Sequence, residues 1–229
     1  MQHLYSHDVL EQFKSGRKEF SNIHLNFCIL EDINLDGLVI KDSTLEFTSF
    51  RNSNLKDARF INCNMFFVSF YGCNFDCTIF DKCKMNIVRL DDMHVKDSCI
   101  KNSDLSFCPI MGTNIGELKI QNTSEFKVIR NISEVSYEDA EQAFRMIGSR
   151  IEFLPIEIRL DVVKVLNRVA NEFNQPDAVK QSTEKSDYQK TNSKYNMSVN
   201  AYKAFDALSN QINAYGKSEA YKQRKPYDK

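Results

Sequence analysis

Nothing in this chain reads as a membrane span or a leader. No apolar run approaches the roughly 18 residues that a bilayer-crossing helix needs, and the charged first twenty residues lack the apolar core of a secretory signal. A cytoplasmic protein without membrane contact is the expectation. Histidine is scarce, with only His3, His7, His24 and His94, and none pairs with a carboxylate or cysteine in a catalytic pattern. G-x-S-x-G, P-loop, G-x-G-x-x-G and H-E-x-x-H motifs are all missing. Cys73 and Cys77 form C-x3-C, but no second Cys or His pair stands at zinc spacing. The chain is therefore read as no enzyme, with no metal or cofactor site. Charge of one sign is not in excess either: 30 Lys and Arg against 31 Asp and Glu leave a net of -1 and identify no partner. Seven Gly and four Pro, with 27% charged residues, are ordinary for one or two soluble domains.

What is present is a period of five. Phe20, Leu25, Leu30, Leu35, Ile40, Leu45, Phe50, Leu55, Phe60, Met65, Phe70, Phe75, Phe80, Met85, Leu90, Val95, Ile100, Leu105, Ile110, Ile115 and Ile120 are all apolar, with no position skipped. At 42% hydrophobic residues, such a run arises by chance with a probability on the order of 10^-8, so it is structural. Helical residues five apart drift by about 140° each time and form no face. A straight strand fails as well, because five is odd and the pleat alternates with period two. Only a chain that turns a corner about once in five residues keeps them on one side.

A second column lies two residues before each centre and is mostly small: Ser43, Thr48, Ser53, Ala58, Cys63, Val68, Cys73, Thr78, Cys83, Val88, Ser98, Ser103, Cys108 and Thr113. Two apart on an extended segment means the same side, so each short strand sends one large and one small side chain inward. Five of the seven cysteines (Cys28, Cys63, Cys73, Cys83, Cys108) take the small inward place, where a thiol acts as a compact hydrophobe. Cys63 and Cys83 would face each other across adjacent coils. A reducing compartment favours packing over a disulfide there.

A third period sets the number of sides. The residue two after each centre is polar or Gly almost everywhere, except at Phe27, Phe47, Phe67, Ile87 and Phe107, spaced by twenty. Asn34, Asn54, Asn74 and Asn114 recur on the same period, with His94 in the gap, and would stack as a ladder. Twenty is four fives, so the coil is four-sided and about five coils stack between residues 18 and 123.

Segments such as Ser53-Asn54-Leu55, Cys73-Asn74-Phe75, Ser103-Asp104-Leu105 and Thr113-Asn114-Ile115 resemble the A/S/T/C-D/N-L/F core of pentapeptide repeat proteins. The resemblance covers a little under half of the chain and implies a mainly β solenoid, a right-handed quadrilateral β-helix. It is specific for fold and says little of activity.

Around the solenoid the chain divides into further pieces. Val9, Leu10 and Phe13 at helical spacing before Gly16 mark a capping helix within residues 1–17, which would cover the open end of the first coil. The solenoid is assigned to 18–123 and two helices to 124–175. In the first, Ser136 and Asp139 suggest a capping box, and Ala140, Ala143, Phe144, Ile147 and Ile151 form a stripe before Pro155. In the second, Ile158, Val162, Val165, Leu166, Val169 and Phe173 share a face before Pro176. Two short helices have too little core to stand alone, so they must dock on the solenoid, a second copy or a partner. Residues 176–229 read as a flexible tail, with a conditional helix near 198–216 carrying Tyr202, Phe205, Leu208, Ile212 and Tyr215. From 177 onward ten Lys and Arg stand against six Asp and Glu, too mild an excess for a nucleic-acid arm.

Two functions are expected from this. The first is a non-enzymatic protein-protein interaction or scaffold protein whose surface is Phe27, Phe47, Phe67, Ile87 and Phe107, flanked by Ile29, Phe66 and Tyr71. Such an apolar ridge, about 20 Å long at the strand spacing, is seldom left bare. Cover by the chain's own helices is the first expectation, a homodimer contact the second, and an external protein partner the third. The alternative comes from the resemblance, whose best-understood members mimic DNA, bind DNA gyrase and modulate quinolone or toxin action. Against it, about five coils span about 25 Å, which corresponds to about seven base pairs and about fourteen phosphates. Residues 18–122 offer fourteen Asp and Glu against eleven Lys and Arg. Asp91 and Asp92 are read as solvated carboxylates on an outward edge, and His94 as a rung of the Asn ladder.

Overall fold

The computed structural model describes residues 1–110, 112, 114, 117–129 and 137–150, together with 163, 164, 167, 208, 210, 211, 214, 215 and 217. Two compact units share the chain: Met1–Ile129 with Asn213–Lys229, and Arg130–Ile212.

The first unit is a parallel β-solenoid. Strands β2 (Glu19–Ser21), β4 (Val39–Lys41), β6 (Arg59–Ile61), β8 (Ile79–Asp81), β10 (Ser98–Lys101) and β12 (Leu118–Gln121) form one six-stranded sheet. A seven-stranded sheet holds β1 (Gln2–His3), β3 (Ile23–Asn26), β5 (Thr44–Glu46), β7 (Asn64–Phe66), β9 (Lys84–Asn86), β11 (Asp104–Pro109) and β13 (Ser124–Ile129). Between β2 and β12 the register advances by twenty per rung, as in Ile40↔Phe60↔Phe80↔Ile100↔Ile120. Single bridges Ile29↔Ser49↔Ser69↔Arg89 and Asn34↔Asn54↔Asn74↔His94 make the other two sides. Four sides and about six turns result. The strands reach beyond residues 18–123 at both ends, because β1 pairs with β3 and β13 pairs with β11. Glu125 breaks the apolar period while still in register with Leu105, and beyond it the β11/β13 register slips by one at Ser106↔Lys127 and returns at Cys108↔Val128.

Corners are made by backbone in the left-handed region. Among the described residues, seventeen non-glycine positions have φ between 49° and 58°, and from Asn22 onward they fall two residues after the centres. Asn, Asp and Gly tolerate this conformation, which explains the polar-or-glycine pattern. Side chains of one corner bond across coils, as in Asn62 Nδ2 to Asp42 Oδ1 at 2.6 Å. Gly72 (φ 70°) is confined further, since a Cβ there would meet Asn52 Oδ1 at 2.5 Å.

Inside, the centres from Phe20 to Leu55 are fully buried, and Phe75 is 1% exposed. Phe60 stacks on Phe80 with centroids 4.8 Å apart and an interplanar angle of 7°, which is the rung spacing of parallel strands. The small column does more than fill space. Thr48 Oγ1 donates to Leu25 O at 3.0 Å, Ser53 Oγ to Leu30 O at 2.9 Å, Cys73 Sγ to Phe50 O at 2.8 Å and Thr78 Oγ1 to Leu55 O at 2.7 Å. Each adds a bond across the coils to a carbonyl one coil earlier, which Ala could not supply. All seven cysteines are free thiols. Burial pushes Cys28, Cys73 and Cys108 up to about 12.

Helix α1 (Ser6–Lys14) closes the first coil. Asp8 accepts the Tyr5 amide at 2.8 Å at its start, and Gly16 (φ 102°) follows its end. Val9 is fully buried, while Leu10 and Phe13 pack against the solenoid interior. Ser6 Oγ takes the Ile29 amide at 2.8 Å.

In the second unit, helix α2 (Tyr137–Gly148) buries Ala143 and Ile147, four apart on one face. Ser136, Ile151 and the apolar stripe expected between Ile158 and Phe173 lie outside the described residues, as do Tyr202, Phe205 and Ile212. Residues 163, 164 and 167 are helical, and so are Leu208 and Tyr215.

Candidate interaction surface

Three of the four corners carry Asn, Asp or Gly at nearly every coil. The fourth carries Phe27 (φ 53°), Phe47 (51°), Phe67 (54°), Ile87 (56°) and Phe107 (55°). A bulky or β-branched residue in the left-handed region is an outlier, each costing about 1–2 kcal/mol. Five in one column therefore cost on the order of 5–10 kcal/mol relative to relaxed backbone.

The column is continuous. Phe27 and Phe47 stack with centroids 5.0 Å apart at 6°, and Phe47 and Phe67 lie 5.7 Å apart at 35°. Amides link the coils: Phe47 N–H donates to Phe66 O, Phe67 N–H to Asn86 O and Ile87 N–H to Ser106 O. Phe66 meets Phe47 edge-on at 5.6 Å and 76°.

Phe47, Phe66, Phe67, Ile87 and Phe107 are each at most 6% exposed, yet they lie outside the interior cluster. They form a second buried apolar set. From residues 47 to 50, 66 to 70 and 107 to 110 every residue is buried, whereas exposed residues recur along the other faces. Phe27 is half-buried, and the edge of Tyr215 meets it at 5.7 Å and 81°.

Beside the column runs a polar line that the sequence reading did not find. Ser49 Oγ donates to Glu31 Oε1 at 2.8 Å, and Lys217 Nζ lies 2.5 Å from Glu31 Oε2. Asp91 corrects the expectation of a solvated carboxylate: it is 2% exposed and takes Arg89 Nε at 2.7 Å. Only Asp92 of that pair is exposed. Arg89 and Arg51 lie over the Tyr71 ring at 4.7 Å and 5.3 Å. The hydrogen bond and charge of Asp92 raise the Tyr71 phenol above its ordinary value. A signal was present in the twenty-residue recurrence of Ile29, Ser49, Ser69 and Arg89, but residue type alone did not distinguish a covered face.

Asn34, Asn54 and Asn74 stack in register on a different face, with Asn54 Nδ2 donating to Asn34 Oδ1 at 2.8 Å. Each also accepts the amide two residues on, from Asp36, Lys56 and Asp76, in an Asx turn. His94 occupies the next register position, with Nδ1 3.0 Å from Asp76 Oδ1. Asn114 bonds Glu117 Oε1 at 2.7 Å. No cluster of His, Cys, Asp and Glu suited to a metal occurs among the described residues, and no helix among them is long and apolar enough to cross a membrane.

A family model described as Pentapeptide repeats matches residues 19–57 and 53–90, with eight copies. No curated protein matches. Among solved structures, the pentapeptide repeat protein Rfr23 of the cyanobacterium Cyanothece 51142 superposes with a TM-score of 0.50 at 11% identity, covering 55% of this chain and 99% of that one. HetL, a pentapeptide repeat protein involved in heterocyst differentiation regulation in Nostoc sp. strain PCC 7120, matches with a TM-score of 0.27 at 10% identity, over 56% of this chain and 95% of that one. QnrB1, a plasmid-mediated fluoroquinolone resistance protein, matches with a TM-score of 0.26 at 16% identity, over 57% and 78%. Repeat period, four-sided coil and family match agree that residues 19–90 are pentapeptide repeats, and the solenoid has the fold of pentapeptide repeat proteins.

Proposed function

We propose that this chain is a non-enzymatic protein-protein interaction or scaffold protein, and that its contact surface is the corner formed by Phe27, Phe47, Phe67, Ile87 and Phe107, of which all but Phe27 are covered within this chain. One observation carries the reading: five consecutive coils place a bulky apolar residue where the backbone favours Asn, Asp or Gly. The solenoid itself does not require this, since its other corners are built from polar residues and glycine. Strain kept at one corner through every coil is offset only if those side chains bury apolar surface, which supplies about 1.5–3 kcal/mol for each large one.

The test is capture by the full chain compared with Phe47→Glu/Phe67→Glu. The variant should keep its β circular dichroism, because the interior pairs are untouched. Proteins that depend on the corner should be recovered by one form and not by the other. Identical recovery by both would sink the proposal. In the same preparation, gyrase supercoiling should be unaffected at stoichiometric excess. Inhibition or protection would move the reading to DNA mimicry, which the near balance of charge on the rod disfavours.

A further inference from the structure

Building on that interaction reading, we infer that the Phe corner receives an amphipathic segment bearing an aromatic ring and a lysine, and that the chain's own C-terminal segment, through Tyr215 and Lys217, occupies it in cis. Two independent contacts carry this. Tyr215 sets its ring edge on Phe27, the first and most exposed member of the column. Lys217 places Nζ 2.5 Å from Glu31 Oε2. Both come from Asn213–Lys229, which belongs to the same compact unit as the solenoid although Arg130–Ile212 separates them in sequence.

Glu31 is prepared for such a cation. Its side chain is only 9% exposed, and Ser49 Oγ holds Oε1 from the next coil, which leaves Oε2 for the incoming ammonium. A carboxylate at that burial is costly unless a positive charge meets it. Phe27 and Glu31 lie four residues apart, one at the corner and the other on the adjoining side, so an apolar site and an anionic site stand together. Tyr215 and Lys217 are both helical. Two positions apart is about 200° around a helix axis, so the flexible lysine stem has to wrap back while the ring points at the corner.

The contact is intramolecular, and the inference is that it exchanges. An external segment of the same chemistry has to compete with a resident held in the same chain. At Phe27 the corner is thus guarded by a resident of the same chain, while Phe47, Phe67, Ile87 and Phe107 are already buried.

Hydrogen exchange on the full chain tests the inference. Lys217→Glu and Glu31→Lys should each speed exchange of the amides around Tyr215 by about tenfold, through loss of the pair and new repulsion. The combined Glu31→Lys/Lys217→Glu chain should return to within about threefold of wild type, because the pair is rebuilt with its signs reversed. Equal exchange in all four chains would overturn the inference. Light scattering should give one chain mass throughout. A doubled mass that Lys217→Glu halves would mean a contact between copies, and would overturn occupation in cis. A fluorescein-labelled peptide of residues 208–222 should bind the full-length Tyr215→Ala/Lys217→Glu chain and not wild type. Binding to neither would overturn exchangeability. If captured proteins prove indifferent to Phe47 and Phe67, the interaction reading fails while the exchange result stands. If exchange is unaffected while capture depends on the corner, the resident is wrong and the surface is right.

Discussion

Replacing Phe67 by Asn sets two opposing effects against each other, and their difference decides whether the corner is covered in solution. Phe67 sits at φ 54°, so Asn, which tolerates the left-handed region, relieves about 1 kcal/mol of backbone strain. Were the side chain solvated, the substitution would stabilise by about that amount. The ring is 6% exposed, however, and truncating a buried Phe costs about 3–5 kcal/mol. The net expectation is a loss of about 2–4 kcal/mol. With a urea slope of about 2 kcal/mol/M the midpoint should fall by about 1–2 M at unchanged slope. Phe27→Asn is the internal control, because φ is 53° but the ring is only half-buried, and its loss should be clearly smaller. Urea titrations followed by far-UV circular dichroism read both variants. A Phe67→Asn chain as stable as wild type, or more so, would refute the claim that burial offsets the strain.

Phe75→Asp should abolish soluble folded protein, because the side chain is 1% exposed in an apolar interior with no cation to meet the charge. A soluble variant with unchanged melting temperature would show that residue 75 does not face inward. Asn54→Ala with Asn74→Ala should lower stability by about 0.5–1.5 kcal/mol for each hydrogen bond removed, through loss of the Asn54–Asn34 bond and two Asx turns. Wild-type urea stability would mean that these bonds do not persist in water. The thiols Cys28, Cys73 and Cys108 ionise near 9 when unfolded and about 12 when folded, so their contribution is fully present below pH 9 and is lost as pH rises toward 12. Melting temperature should fall across that window, and replacing Cys73 by Ser should make the fall shallower. At pH 8, native alkylation should mark exposed Cys77 and spare these three.

The interior was legible because its rule is local: every side of the coil needs one large inward residue, and the centres supply it without interruption. The small column was legible as small, but its second task was hidden. That Thr48 bonds to Leu25 O and Cys73 to Phe50 O follows only when one coil is laid on another, so the preference for Ser, Thr and Cys over Ala had no visible cause in one dimension. Asp91 was misread for a related reason. Beside Asp92 it looks like one of two solvated acids, whereas the corner sends the two to opposite fates, Asp92 outward and Asp91 into a pair with Arg89. The Glu31–Lys217 pair joins positions too distant in sequence for any spacing argument to connect.

The Phe corner lies between these cases, and the contrast explains why it is the place to look for function. A pentapeptide solenoid repeats one backbone, so a residue that the backbone demands carries no information about activity. The centres, the small donors and the Asn or Asp corners are all demanded. Phe27, Phe47, Phe67, Ile87 and Phe107 oppose the local preference at one corner in five successive coils. Local preference for Asn, Asp or Gly there is set by the left-handed backbone, and the neighbouring coils hold it, because the amides of Phe27, Phe47, Phe67 and Ile87 are already committed to the next coil. Contact outside the interior is therefore what keeps the apolar side chains in place. The burial of four of the five outside the interior cluster is that contact. Its chemistry, a row of rings beside Glu31, Ser49 and the Arg89–Asp91 pair, suits a segment that brings an apolar face and a positive charge together.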